Sequence, residues 1–411
     1  MGGIKYGRLN WMEKQMKHCK AFISGISGLA LTKAEKAFIA AHQPWGFILF
    51  ARNIEGAWQL RILIDSLREV SGRADALVFV DQEGGRIQRL RLPLTSDYPS
   101  AAELGAIYRR NKNAGLRAAW IMSRLHAFDL AWFGFNADCL PLLDVFSVEE
   151  RHDVIGPRAY GHDLQAVTAM GCAAALGLQA GGILPVMKHI PGHGRAMCDT
   201  HKVLAYVGTP LEILRASDFM SFKALSSLPC AMTAHVVYEA VDHENPATLS
   251  QKVIETVIQG EIGFDGLLMT DDLSMKALAG DIGTLSRRAF MAGCDLVLHC
   301  NGNMDEMLSV AENTPWLSGK GLERAQVAAV WGKTAGQADD EAALQAEFHA
   351  LLSSDIGTFY SQVKYWAPAR AQPDKDVHLA IKVEDALVKV EDTAAPIVNG
   401  GIAKVEQELG A

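Results

Sequence analysis

The densest concentration of chemically able side chains lies in residues 186–203, VMKHIPGHGRAMCDTHKV. His189, His193 and His201 fall there with Lys188 and Asp199, among a proline and two glycines. Imidazoles and a carboxylate are zinc-ligand types. The spacing matches no metal motif, however, and Gly192 and Gly194 on either side of His193 suit a tight turn more than a rigid ligand helix. The triplet Asp199-Thr200-His201 admits another use. Its carboxylate can accept a hydrogen bond from one imidazole nitrogen, which fixes the tautomer, favours the protonated ring and leaves the other nitrogen for proton transfer. A local polar turn accounts for a lone D-x-H equally well. The residue types alone leave three readings: a metal site, a polar cluster, or a loop that moves protons.

Other polar residues stand at the ends of apolar runs. Asp81 and Glu83 close one such run; Asp144, Lys188, His189, His235, Asp271 and Asp272 lie at or near the ends of others. A single aspartate after a strand is commonly a helix cap, and that reading suits Asp272 and Asp295. It does not account for so many polar strand ends together.

The elements that would position them are legible. Strands buried on both faces read as short continuous apolar runs. Eight occur: 21–25, 46–50, 76–83, 135–145, 183–190, 230–236, 266–272 and 295–301. Helical periodicity fills most intervals, as in AWQLRILIDSLREV, AGLRAAWIMSRLHAFDL and PATLSQKVIETVIQGEIGF, the last with a glycine stop. Eight strands alternating with helices predict an α/β fold, a single (β/α)8 TIM-type barrel whose active site forms at the C-terminal strand ends. A doubly wound open sheet is the alternative, but no G-x-G-x-x-G follows the first run.

Composition narrows the class. The net charge of −8 and the absence of a basic block argue against a nucleic-acid partner. Seven scattered cysteines without C-x-x-C suit a reducing cytoplasm. The stretch KQMKHCKAFISGISGLAL has the outline of a signal peptide, but its serines and glycines favour a buried strand ending in a turn. No apolar stretch is long enough for membrane insertion.

The KHIPGHG and DTH segments of the loop resemble those of bacterial β-N-acetylglucosaminidases of glycoside hydrolase family 3. GFILFARNI, VDQEGGRIQRL, PLLDV, VIGPRAYG, TAHVVYEAVD, PATLS, GFDGLLMTDDLSM and AGCDLVLHCN continue the resemblance in the family's order, over residues 20–335. The resemblance implies a retaining exo-glycosidase with Asp271 as nucleophile, His201 as general acid/base and Asp199 as its partner. It assigns Asp81, Arg89, Arg158, Lys188 and His189 to gripping the hydroxyls of the terminal sugar. It implies a small-molecule carbohydrate substrate, a muropeptide fragment carrying GlcNAc on anhydro-muramic acid, in cytoplasmic cell-wall recycling. It calls for no cofactor and no metal, and for a monomer. Two departures, Ala159-Tyr160 beside Arg158 and Thr200 within DTH, remove no group the chemistry needs.

The expected organisation is an N-terminal extension (1–20), a catalytic barrel (21–355) and a weakly ordered tail (356–411). The tail repeats Lys-Val-Glu-Asp at a seven-residue spacing.

Overall fold

The computed structural model describes residues 19–146, 155–196, 202–331 and 338–355. Its centre is a parallel sheet of β1 (Lys20–Ser24), β2 (Pro44–Ile48), β3 (Leu77–Val80), β4 (Ala137–Asp138), β5 (Leu184–Pro185), β6 (Met187–Ile190), β7 (Cys230–Thr233), β8 (Leu267–Asp272) and β9 (Leu296–His299). The hydrogen-bonded order runs β5-β4-β3-β2-β1-β9-β8-β7-β6. β5 and β6 are two halves of one run interrupted at Val186. The first half pairs with β4 and the second with β7, so the sheet returns on itself. Nine strands thus fill eight positions of a TIM-type barrel. The apolar run that suggested a signal peptide contains β1.

Up to their C-terminal ends most strands are apolar on both faces, which explains the unbroken runs. Ile23, Phe79, Met232, Met269 and Leu298 point into one buried cluster inside the barrel, while Phe22, Val78, Ala231, Leu268 and Val297 pack beneath the helices. Side-chain alternation along a strand gives the two sets. Burying each such side chain contributes about 1.5–3 kcal/mol.

The helical patterns at Ala57–Ser71 and Lys112–Phe133 form as expected. The segment before β8 differs: its helix is a π-helix over Val253–Glu261, with Gly263 at φ +76 just beyond its end. The last described helix, Glu341–Asp355, lies against Lys112–Phe133, with Arg117–Glu347 and Arg124–Asp339 ion pairs at 2.8 Å. Among the described residues no helix is long and apolar enough to cross a membrane. The expected tail and most of the expected N-terminal extension lie outside the described residues.

Candidate active site

The polar strand ends converge at the C-terminal mouth of the barrel on a cavity of about 280 Å³. Asp81, Arg89, Arg158, Lys188, His189 and Asp271 all line it. Arg89 follows a short hairpin, Gln82–Gly84 with Ile87–Gln88, that projects beyond β3. Arg158 ends a single 3-10 turn, Gly156–Arg158.

A buried charge network ties these elements together. Lys188 Nζ donates to Asp81 at 2.9 Å and lies 2.6 Å from Glu83. Arg89 reaches the other Asp81 oxygen at 2.9 Å, and Arg158 grips Glu83 with two donors at 2.7 and 2.9 Å. Lys188 and Glu83 are nearly inaccessible, at 2% and 4% of side-chain exposure. A buried charge survives only when paired, and here each charge has partners. Burial would raise the Glu83 carboxyl, but Arg158 and then Lys188 outweigh it and hold the group at about 2. Asp81 is lowered in the same way against burial, by Lys188 and Arg89. Lys188 is raised by Asp81 and Glu83 although burial works to lower it. The cluster therefore presents fixed cationic donors beside fixed carboxylate acceptors, which is what a polyol requires.

Asp144 organises the opposite side. Its Oδ2 accepts from His189 Nδ1 at 2.8 Å; its Oδ1 accepts the backbone N–H of His193 at 2.6 Å and of His189 at 3.2 Å. An ionised carboxylate cannot donate, so Nδ1 carries the proton and Nε2 is left as the ring's other polar atom. Against burial, His189 and then His193 lower Asp144 to about 2. Burial and the neighbouring His189 lower His193 to about 4, so this imidazole is neutral at pH 7.

The turn that follows is held tightly. Gly192 has φ +135, a conformation that disfavours side chains. A Cβ on Gly194 would stand 1.9 Å from the Val145 carbonyl oxygen. Tyr238 donates its hydroxyl to the Gly192 carbonyl, and Arg195 pairs with buried Asp218 at 2.7 Å. Residues 186–196 are thus anchored on three sides. Asp199 and His201, the expected proton-moving pair, lie outside the described residues. Among the described residues no group of three or more His, Cys, Asp or Glu side chains is arranged to hold a metal ion.

Asp271 is the penultimate residue of β8 and lines the cavity. Its Oδ1 accepts the Asp272 N–H at 2.8 Å. Burial raises its pKa, but His235 and His189 outweigh that, so the carboxylate is ionised at neutral pH. Asp272 is not the helix cap the sequence suggested, because residues 273–279 form turns and bends. Its carboxylate instead accepts from Ser274 N–H, Ser274 Oγ and Cys300 N–H, linking the ends of β8 and β9. Asp295 is likewise no cap: it accepts from Leu268 N–H at 3.0 Å and pairs with Arg324.

The structure therefore brings Asp81, Arg89, Arg158, Lys188, His189 and Asp271 together. Glu83 and Asp144 stand in the sequence as strand-end residues with no role attached; a charge following an apolar run is the available signal. Phe50, Arg52 and Asn301 also line the cavity; they lie within the segments GFILFARNI and AGCDLVLHCN, to which the sequence attaches no site role. The guanidinium groups of Arg52 and Arg89 lie 5.1 and 5.2 Å from the Phe50 ring centre, a cation–π arrangement.

Residues 9–327 match the model of the glycosyl hydrolase family 3 N terminal domain. A beta-hexosaminidase of Alkalilimnicola ehrlichii is 37% identical over 282 residues, covering 67% of this chain and 79% of the relative. One from Pseudomonas aeruginosa is 35% identical over 297 residues, covering 70% and 84%. In three dimensions the chain is similar to NagZ from Neisseria gonorrhoeae in complex with N-trifluoroacetyl-D-glucosamine: TM-score 0.71, 30% identity, 83% of this chain and 98% of the other. With a TIM-type barrel and a charged cavity at its C-terminal mouth, the chain belongs to glycoside hydrolase family 3. Within that family it is a β-N-acetylhexosaminidase, of the β-N-acetylglucosaminidase kind.

Proposed function

We propose that the enzyme is a retaining exo-β-N-acetylglucosaminidase that uses Asp271 as nucleophile and His201, held by Asp199, as acid/base. The observation that carries this reading is the Asp271 carboxylate, kept ionised and facing the same cavity as the Asp81–Arg89–Arg158–Lys188–His189 grip. Asp271 attacks the anomeric carbon as the glycosidic C–O bond breaks, and the leaving oxygen takes a proton from His201. His201 then removes a proton from water, which displaces Asp271 and releases GlcNAc with the original configuration. Retaining glycosidases commonly use two carboxyl groups about 5–5.5 Å apart; here a His–Asp pair replaces one of them. An imidazole with an ordinary pKa of about 6.5 serves both steps near neutral pH. The substrate is a muropeptide fragment, GlcNAc on anhydro-muramic acid, processed by a monomer during peptidoglycan recycling in the cytoplasm. The family resemblance and the GlcNAc analogue bound by the gonococcal enzyme support this choice of sugar.

The test is a fluorinated dinitrophenyl β-GlcNAc together with NMR of the first-formed product. Label on Asp271 and a β-anomeric product are expected. An α product, or label on another residue, rejects the assignment. His201→Ala should lose ~10²–10⁴-fold on the natural disaccharide and far less on nitrophenyl GlcNAc, whose leaving group needs little protonation. Equal losses on both substrates would show that His201 is not the proton donor.

A further inference from the structure

His235 follows β7 by two residues and is completely buried. It does not line the cavity, yet it touches the segment that carries Asp271. Its Nε2 lies 3.0 Å from the carbonyl oxygen of Asp272, and its Nδ1 lies 2.7 Å from Thr248 Oγ1. Thr248 Oγ1 in turn lies 2.8 Å from Thr233 Oγ1 and 3.1 Å from the Ala234 carbonyl; both threonines are also fully buried.

A carbonyl oxygen can only accept, so Nε2 carries a proton whatever the state of Nδ1. Thr248 meets either state: it donates to a bare Nδ1, or accepts from a protonated one and donates to the Ala234 carbonyl. The ring thus gives Asp272 a donor that is always present. The Asp272 N–H is committed to Asp271 Oδ1 at 2.8 Å, and the Asp272 carboxylate is held by Cys300 N–H and Ser274. The Asp272 carboxylate is thus held from the β9 side, and the carbonyl is held by His235 from the β7 side. That carbonyl shares its peptide with the Leu273 N–H, which donates to the Leu298 carbonyl at 3.0 Å, so His235 and β9 hold this peptide from opposite sides. Loss of the His235 bond leaves it held from β9 alone and lets the backbone at Asp272 shift, and with it the N–H bonded to Asp271 Oδ1.

We propose that His235 is a positioning residue for the reaction, fixing the Asp271 carboxylate through the Asp272 carbonyl, with Thr248 setting the ring. The proposal rests on Asp271 being the nucleophile. Its signature is selective: bond formation at Asp271 suffers while the sugar grip, built on β3 and β6, does not.

The experiment measures turnover, inhibition by GlcNAc and the rate of covalent labelling by the fluorinated dinitrophenyl β-GlcNAc. A displacement of about 1 Å costs on the order of 10²-fold. His235→Leu is therefore expected to slow turnover and labelling by about 10²-fold, with GlcNAc inhibition within about threefold of wild type. His235→Gln, whose amide N–H can replace Nε2–H, should recover to within about tenfold of wild type. Thr248→Val should show a smaller loss of the same kind. Labelling of His235→Leu at the wild-type rate overturns the proposal. So does a Gln variant no better than Leu, or inhibition that weakens in step with turnover. Should His235→Leu fail to fold, Thr248→Val decides, and an unchanged labelling rate there overturns the idea. Wild-type label on a residue other than Asp271 sinks the nucleophile assignment and this inference together. Label on Asp271 with an unimpaired His235→Leu sinks this inference alone.

Discussion

Asp144 shows how much one buried carboxylate can organise. Both of its oxygens are occupied, one by the His189 ring and one by two backbone N–H groups. Hydrogen bonds to charged groups contribute about 1.5–3 kcal/mol. Asp144→Asn keeps an acceptor for the backbone but offers the imidazole a neutral amide. KM for nitrophenyl GlcNAc should rise about tenfold or more, since His189 no longer has a charged partner to fix its tautomer. Steady-state kinetics checks this; an unchanged KM would show that His189 is oriented by something else. The paired residues Glu83 and Lys188 differ in kind, because removing either strands a buried charge. Their loss is expected to cost stability before it costs chemistry.

Between β6 and the segment carrying Asp199 and His201, the turn at Gly192–His193–Gly194 accommodates the His193 ring but has no room for a Cβ at Gly194. An alanine at 194 would place its Cβ against backbone, at 1.9 Å from Val145 O and 2.4 Å from Val145 C, so neither partner can yield by rotating a side chain. Gly194→Ala is expected to destabilise the protein by about 1–3 kcal/mol. It should also lower turnover, because the path toward His201 shifts. A thermal melt beside kcat tests both, and a variant with wild-type values in each would show that the turn is more pliant than its packing indicates. The barrel strands are constrained differently. Phe79 fills the interior with Ile23, Met269 and Leu298, where any apolar side chain of similar volume would serve.

For the molecule as a whole, the ionised cluster should govern the response to acid. Glu83 and Asp144 titrate at about 2 in the folded protein, against ordinary values of 4.5 and 3.8. A carboxyl with a depressed folded pKa contributes stability that is complete above its unfolded pKa and lost as pH falls through the folded value. Urea-derived stability should therefore change little from these groups between neutrality and pH of about 5, then fall between about 4.5 and 2. Glu83→Gln removes one titrating group, so its acid limb should be shallower than that of wild type. Parallel acid limbs would show that other carboxyls dominate. The Arg117–Glu347 and Arg124–Asp339 pairs belong to the same scale, since they hold the last described helix to the barrel wall. Arg124 is deeply buried there and Glu347 largely open, so the two pairs contribute unequally.

The barrel and the positions of its polar strand ends are legible in the linear chain. A strand buried on both faces is apolar over most of its length, and the polar residues that close such a run gather at the barrel's mouth. The order of the family's segments was equally a property of the linear chain, as were the candidates Asp271, Asp81, Lys188 and His189. Helix type was not legible: the π-helix at Val253–Glu261 has an apolar pattern that an α-helix would also satisfy. Nor was the true work of Asp272 and Asp295, because a cap and a cross-strand anchor use the same side chain. Which charge pairs with which emerges from the folded barrel alone. Lys188 meets Asp81 across 107 residues, and His189 meets Asp144 across 45. Those distances close because the sheet closes, and the low dielectric at its mouth then forces each buried charge to find a partner.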